Sequence, residues 1–87
     1  MKSIYFTSHA IQQMKDRNTN IAEVEMAIQK GKWLHAEHGR LTTSMTFKFN
    51  KEHYGRFYSS KDVVPIFIEE PDRIVVITVY TYFSQKR

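Results

Sequence analysis

The chain contains no cysteine. That excludes a disulfide framework and any thiolate metal site, and it suits a reducing cytoplasm, which is the expected location. No apolar run approaches the ~18–20 residues that a membrane-crossing helix needs, so no membrane partner is expected. The opening MKSIYFTSHA returns to polar residues after a few apolar ones and is not expected to act as a signal peptide. Glycine is scarce, with three in the chain, and none falls in a phosphate-cradling glycine loop. No histidine has a partner at zinc-like spacing: His35 and His38 are three apart in a stretch that reads as extended, so they would not share a helix face. Neither a metal nor a cofactor is expected, and no nucleophile motif supports a Ser-His-Asp triad.

What remains is a small globular protein. A chain of 87 residues makes one domain, 1–87, and buries roughly 60–65% of its unfolded surface. Its hydrophobic fraction of 41% and aromatic fraction of 14% place it with folded rather than disordered chains. The net charge of +4 is unevenly spread: residues 1–40 carry +2, 41–61 carry +3, 62–72 carry −4 and 73–87 carry +3, which sum to +4. A basic surface broken by one acidic loop favours polyanions such as nucleic acid.

Two helices precede a run of strands. Residues 2–6 read as a short strand or an arm on the sheet. Thr7 and Ser8 are both good N-caps, with Ser8 just before a helical run whose apolar face is Ala10, Ile11 and Met14. Asn18-Thr19-Asn20 is a turn, and Asn20 with Glu23 resembles a capping box for a second helix with the stripe Ile21, Val24, Ala27 and Ile28. Gly31 suits the C′ position that ends it.

The period then changes from 3.6 to 2. Residues 33–37 could be a strand. Over 41–50, Leu41, Thr43, Met45, Phe47 and Phe49 face one way and polar residues the other, as in a sheet with one wet face. Residues 53–59 could continue as its partner. Residues 63–69 are β-rich, although Pro65 argues for an edge or a bulge. Glu70-Pro71-Asp72 is a turn, and 73–83 is the strongest strand. Strict alternation there sends Val75, Ile77 and Val79 to the core, and Val76, Thr78, Tyr80 and Tyr82 to the wet face. The expected fold is α+β: two N-terminal helices packed on one face of a mostly antiparallel sheet of 4–5 strands.

Two features carry chemistry. On the first helix His9, Gln13 and Arg17 drift by only ~40° per step and so line one side. A histidine in the first turn can act as a base, and an arginine can clamp phosphate bidentately. A solvated helix face explains the same line without a ligand. The wet sheet face, with Lys48, Thr78, Tyr80 and Tyr82, can stack bases and hold phosphates, although tyrosine and threonine also favour strands for their own sake.

The stretches SHAIQQMKDRN and IAEVEMAIQKG, with the closing IVVITVY, resemble the bacterial and phage domain-of-unknown-function family 4258. Its pattern is an H-A-x-x-R-M-x-x-R helix, a second helix, a sheet and a closing V-x-T-x-Y strand. That family looks related to BrnT-like and RelE-like toxins, the group that includes barnase-type ribonucleases. The match carries His9, Ala10, Met14, Arg17, Thr78 and Tyr80 onto this chain, with Gln13 where the pattern has its first arginine.

The resemblance implies a RelE/barnase-like domain acting as a metal-independent endoribonuclease by 2′-hydroxyl attack. Its catalytic residues would be His9, Arg17, Thr78 and Tyr80, with RNA contacts from Gln13, Lys48, Arg56 and Tyr82. The implied partners are RNA, free or on the ribosome, and an antitoxin or immunity protein. The alternative is a non-catalytic RNA- or protein-binding module of the same fold, such as a phage or mobile-element inhibitor of a host factor. The catalytic reading requires the His9 end of the helix to lie beside the Thr78–Tyr80 end of the last strand.

Overall fold

The computed structural model describes residues 2–85; Met1, and the Lys86 and Arg87 counted in the basic C-terminal end, lie outside them. The elements are β1 (Ser3–Phe6), α1 (Ser8–Asp16), α2 (Ile21–Lys30), β2 (Leu34–His35), a 3-10 turn (Glu37–Gly39), β3 (Leu41–Thr42), β4 (Met45–His53), β5 (Arg56–Glu69) and β6 (Arg73–Ser84). The fold is α+β, with two helices packed against a mostly antiparallel sheet. Among the described residues that sheet has six strands, more than the four or five expected. Its order is β1-β6-β5-β3-β2, and β4 pairs with β5 in the same register as β3. Only β1 runs parallel to its neighbour, β6.

The run 41–50 is broken into two strands, β3 and β4, whereas the runs 53–59 and 63–69 join into the single strand β5. The alternation over 41–50 holds: Thr43 and Phe49 are buried, and Ser44, Thr46, Lys48 and Asn50 are exposed. The ladder to β5 nevertheless stops after Thr42↔Ile66 and resumes at Met45↔Val63. The register is unchanged across the gap, so Pro65 stands opposite Thr43. The Pro65 carbonyl points this way, since Thr42 Oγ1 donates to it at 3.0 Å. A residue's N and C=O point to the same neighbouring strand, so the N–H that proline lacks is missing from this ladder. Pro65 thus lies inside the central strand β5, not on an edge, and its cost is the split between β3 and β4.

The hairpin joining β4 to β5 turns at Tyr54-Gly55, both with positive φ (50° and 79°), as a two-residue primed turn requires. The reading of 53–59 as one continuous strand missed this turn, because tyrosine seldom occupies that position. Residues 33–37 pair only at Leu34–His35 before the 3-10 turn.

The helix boundaries follow the capping chemistry. Thr7, not Ser8, caps α1: its Oγ1 accepts from Ala10 N at 3.1 Å. Thr7 is held extended because its N–H donates to the Val76 carbonyl and its hydroxyl to that of Ile77, both at 3.2 Å. Asn20 caps α2 as expected, accepting from Glu23 N at 2.9 Å. The Glu23 carboxylate does not complete a capping box; it goes to the buried Lys61 Nζ at 2.7 Å and accepts from Thr19 Oγ1 at 2.9 Å.

Gly31 ends α2, but its φ is −77°, not left-handed. Glycine is required there by close approach: a Cβ would collide with Thr43 Oγ1 and lie 2.6 Å from the Ala27 carbonyl oxygen.

The core joins Ala10 and Met14 of α1 and Val24 and Ile28 of α2 to Val63, Phe67, Ile74, Val76 and Val79 of the sheet. Burying each large side chain contributes about 1.5–3 kcal/mol. Ile11 and Ile21, expected on the apolar faces, are instead exposed. The facing of β6 also differs from strict alternation. The ladder pairs Ile66↔Thr78 and then Phe67↔Val76, which leaves Ile77 as an extra residue. That bulge reverses the phase: Ile74, Val76 and Val79 join the core cluster, Val75 is buried outside that cluster, and Ile77 is only half-buried.

Candidate functional site

Beyond Val76 the strand β1 ends, and among the described residues no strand lies beside the outer edge of β6 there. Helix α1 lies along this edge, and its polar line supplies the missing partners. Gln13 Oε1 accepts from Val79 N at 3.2 Å and also from the Thr78 hydroxyl. Arg17 Nη1 donates to the Val79 carbonyl at 2.7 Å. The carbonyl of Arg17 accepts from Thr81 Oγ1 at 2.8 Å. The line is therefore not simply a solvated face: two of its three members fasten the helix to the sheet.

This accounts for Gln13 where the family pattern has arginine. The Val79 N–H needs an acceptor, which an amide oxygen provides and a guanidinium does not. Replacing Gln13 with leucine is expected to leave that N–H unpaired and to cost about 1–3 kcal/mol. Urea unfolding and hydrogen exchange at the Val79 amide would measure it. Wild-type stability together with unchanged exchange protection would contradict the assignment.

His9 and Arg17 lie toward a groove of about 630 Å³ between α1, the end of β6 and the β4–β5 hairpin. Its lining includes His9, Gln13, Asp16, Arg17, His53, Tyr54 and Tyr80. His9 and Tyr80, 71 positions apart, both line this groove. The Arg17 guanidinium carbon is 4.9 Å from the centroid of the Tyr80 ring. One of its five N–H groups is used on Val79, so the fork retains donors for a ligand.

His53 is the residue that sequence reasoning passed over. Its ring stacks on Phe83 (centroids 4.1 Å, planes 23° apart), and Tyr54 meets it edge-on at 4.4 Å. Asn18 Nδ2 donates to His53 Nδ1 at 2.7 Å. A neutral ring that accepts at Nδ1 carries its proton on Nε2, the nitrogen left for a ligand. Asn18 has φ 56°, and its carbonyl accepts from Lys61 Nζ, which anchors it at the end of α1. The only sequence signal for His53 was its place beside Tyr54-Gly55, which is legible only once that pair is read as a turn.

The other expected residues lie elsewhere. Thr78 is buried, with its hydroxyl bonded to Gln13, and does not line the groove. Lys48 pairs with Ser60 and Tyr82 with Asp62 across β5, which puts both on the open face of the sheet. Arg56 is exposed opposite His53 at the hairpin end. Among the described residues no group of three or more His, Asp or Glu side chains is placed to hold a metal ion, and no helix is long and apolar enough to cross a membrane.

Against this geometry, one comparison is positive: the family described as "Domain of unknown function (DUF4258)" matches residues 6–81. No curated protein and no solved structure matches.

Proposed function

From the premise that the chain belongs to the DUF4258 family, we propose that it is a toxin-like endoribonuclease of the cytoplasm that cleaves RNA without a metal. The observation that supports this reading is the meeting of His9, His53, Arg17 and Tyr80 on one groove. Cleavage by transesterification needs a base to take the proton of the 2′-hydroxyl and an acid to protonate the departing 5′-oxygen. It also needs positive charge for the phosphorane. The two imidazoles are the proton carriers. Arg17 faces the phosphoryl oxygens, and the Tyr80 hydroxyl donates to one of them. The 2′-oxygen bonds to phosphorus, the P–O5′ bond breaks, and the products are a 2′,3′-cyclic phosphate and a 5′-hydroxyl end. Such an enzyme needs restraint in its own cell, so an antitoxin or immunity protein belongs to the proposal, and the RNA is taken free or on the ribosome.

A second reading is a non-catalytic RNA- or protein-binding module. It is favoured by the engagement of Gln13 and Arg17 with Val79, which gives the helix line a structural purpose without catalysis.

The test is incubation of purified protein with RNA in EDTA, beside the same RNA carrying a 2′-deoxy substitution at the cleaved position. Cyclic phosphate ends on the first and no cut on the second are expected. An intact first RNA, both free and on translating ribosomes, would leave the binding module.

A further inference from the structure

Tyr80 has two sides. One lines the groove; the other, with Thr78 and Ile66, lines a pocket of about 310 Å³ on the open face of the sheet. The far wall of that pocket is the 36–40 loop, with Glu37, His38 and Arg40. This loop is a built structure: Ala36 N donates to the Arg40 carbonyl at 2.8 Å, and Arg40 N to that of Glu37 at 3.3 Å. His38 is left-handed (φ 62°, ψ 36°), followed by Gly39 at φ 71°. Among the described residues the Arg40 guanidinium has no ion-pair partner. The pocket therefore combines an apolar floor (Ile66), an aromatic wall (Tyr80) and a rim where the Arg40 guanidinium stands with Glu37 and His38, themselves 3.8 Å apart; floor, wall and guanidinium suit a stacked base and its phosphate.

Continuity strengthens the case. Tyr80 is half-exposed, and Tyr82, two residues on, is more so. Both lie on the open face, ~6.8 Å apart along the strand. That is close to the span of one nucleotide of extended single-stranded RNA. Lys48, on the same face, lies across β5 from this line.

We propose that the pocket between the 36–40 loop and Tyr80 is a second nucleotide subsite. It takes the nucleotide adjoining the one in the groove, so that a single RNA strand crosses the edge of β6 over Tyr80. This rests on the RNA reading above and names its substrate as single-stranded RNA spanning at least two nucleotides.

The experiment uses 2′-O-methyl oligonucleotides, which cannot undergo 2′-hydroxyl attack, beside a mononucleotide. Binding is followed by fluorescence anisotropy for the former and by NMR shift changes for the latter. Arg40→Ala and His38→Ala, each checked for folding by circular dichroism, are expected to weaken oligonucleotide binding on the order of tenfold. Mononucleotide binding in the groove should stay unchanged, and the Arg40 and Ile66 signals should move only with the longer ligand. Wild-type oligonucleotide affinity in both variants would overturn the subsite and leave the groove reading intact. No oligonucleotide binding by the wild-type protein would overturn both.

Discussion

His53→Ala is expected to slow RNA cleavage by roughly 10²–10⁴-fold, the usual loss when one positioned acid or base is removed. His9→Ala should cost as much, because in the proposed mechanism each histidine carries one of the two proton transfers. The pair acts as a unit, so the double variant should be little slower than either single one. A catalytic role also has a signature that packing does not. The wild-type pH–rate profile should be bell-shaped, and each single variant should lose one limb. His53 also stacks on Phe83, so His53→Ala could act by loosening the hairpin. The comparison variant is therefore His53→Phe, which keeps the stacked ring and removes the nitrogens. Full activity in His53→Phe would reduce the residue to a packing element and end the two-histidine mechanism.

The largest expected effect on stability lies at the other side of the hairpin. Lys61 is 5% exposed, and its ammonium meets Glu23 at 2.7 Å and the Asn18 carbonyl. Its charge also lies 5.1 Å from the Phe49 ring centroid. Glu23→Leu would strand this buried charge and is expected to cost about 3–5 kcal/mol. Against the ~5–15 kcal/mol that holds a typical domain together, that is a large fraction. The attraction within the pair is mostly offset by the cost of drying both ions. Adding Lys61→Met to Glu23→Leu should therefore recover most of the loss. Urea unfolding of the two single variants and the double one measures the cycle. A Glu23→Leu midpoint near wild type would mean that the pair is no more consequential than an exposed one, worth ~0–1 kcal/mol.

Some of this was open to reading in the chain alone. The Asn20 cap and the Val24–Ala27–Ile28 stripe mark α2 because helix periodicity and capping are local. The alternation over 41–50 likewise marked the wet face there, and the dense β-branched run after Arg73 marked a strand. What stayed hidden depends on single residues whose effect is not local. Ile77 looks like any strand isoleucine, yet as the bulged residue it reverses the facing of everything before it. Pro65 carries a true warning, a missing N–H, but only the fold shows that the warning concerns β3 and β4 and not a sheet edge. In the site, the helical spacing of His9, Gln13 and Arg17 was legible, whereas His53 was not, because its place in the groove depends on a left-handed tyrosine in a two-residue turn.

The way α1 covers β6 has a practical side. An unpaired strand flank is a template on which other chains assemble, and proteins blunt such flanks to stay dispersed. Here the blunting is done by Gln13 and Arg17, through the two polar groups of Val79. Arg17 is thus asked to serve the groove and to keep the molecule from self-association. An inactive protein made by removing Arg17 would carry an open strand as well as an empty groove. Its silence in a cleavage assay would not distinguish lost chemistry from aggregation. His9, which takes no part in holding Val79, is where an inactive but well-behaved form should be made.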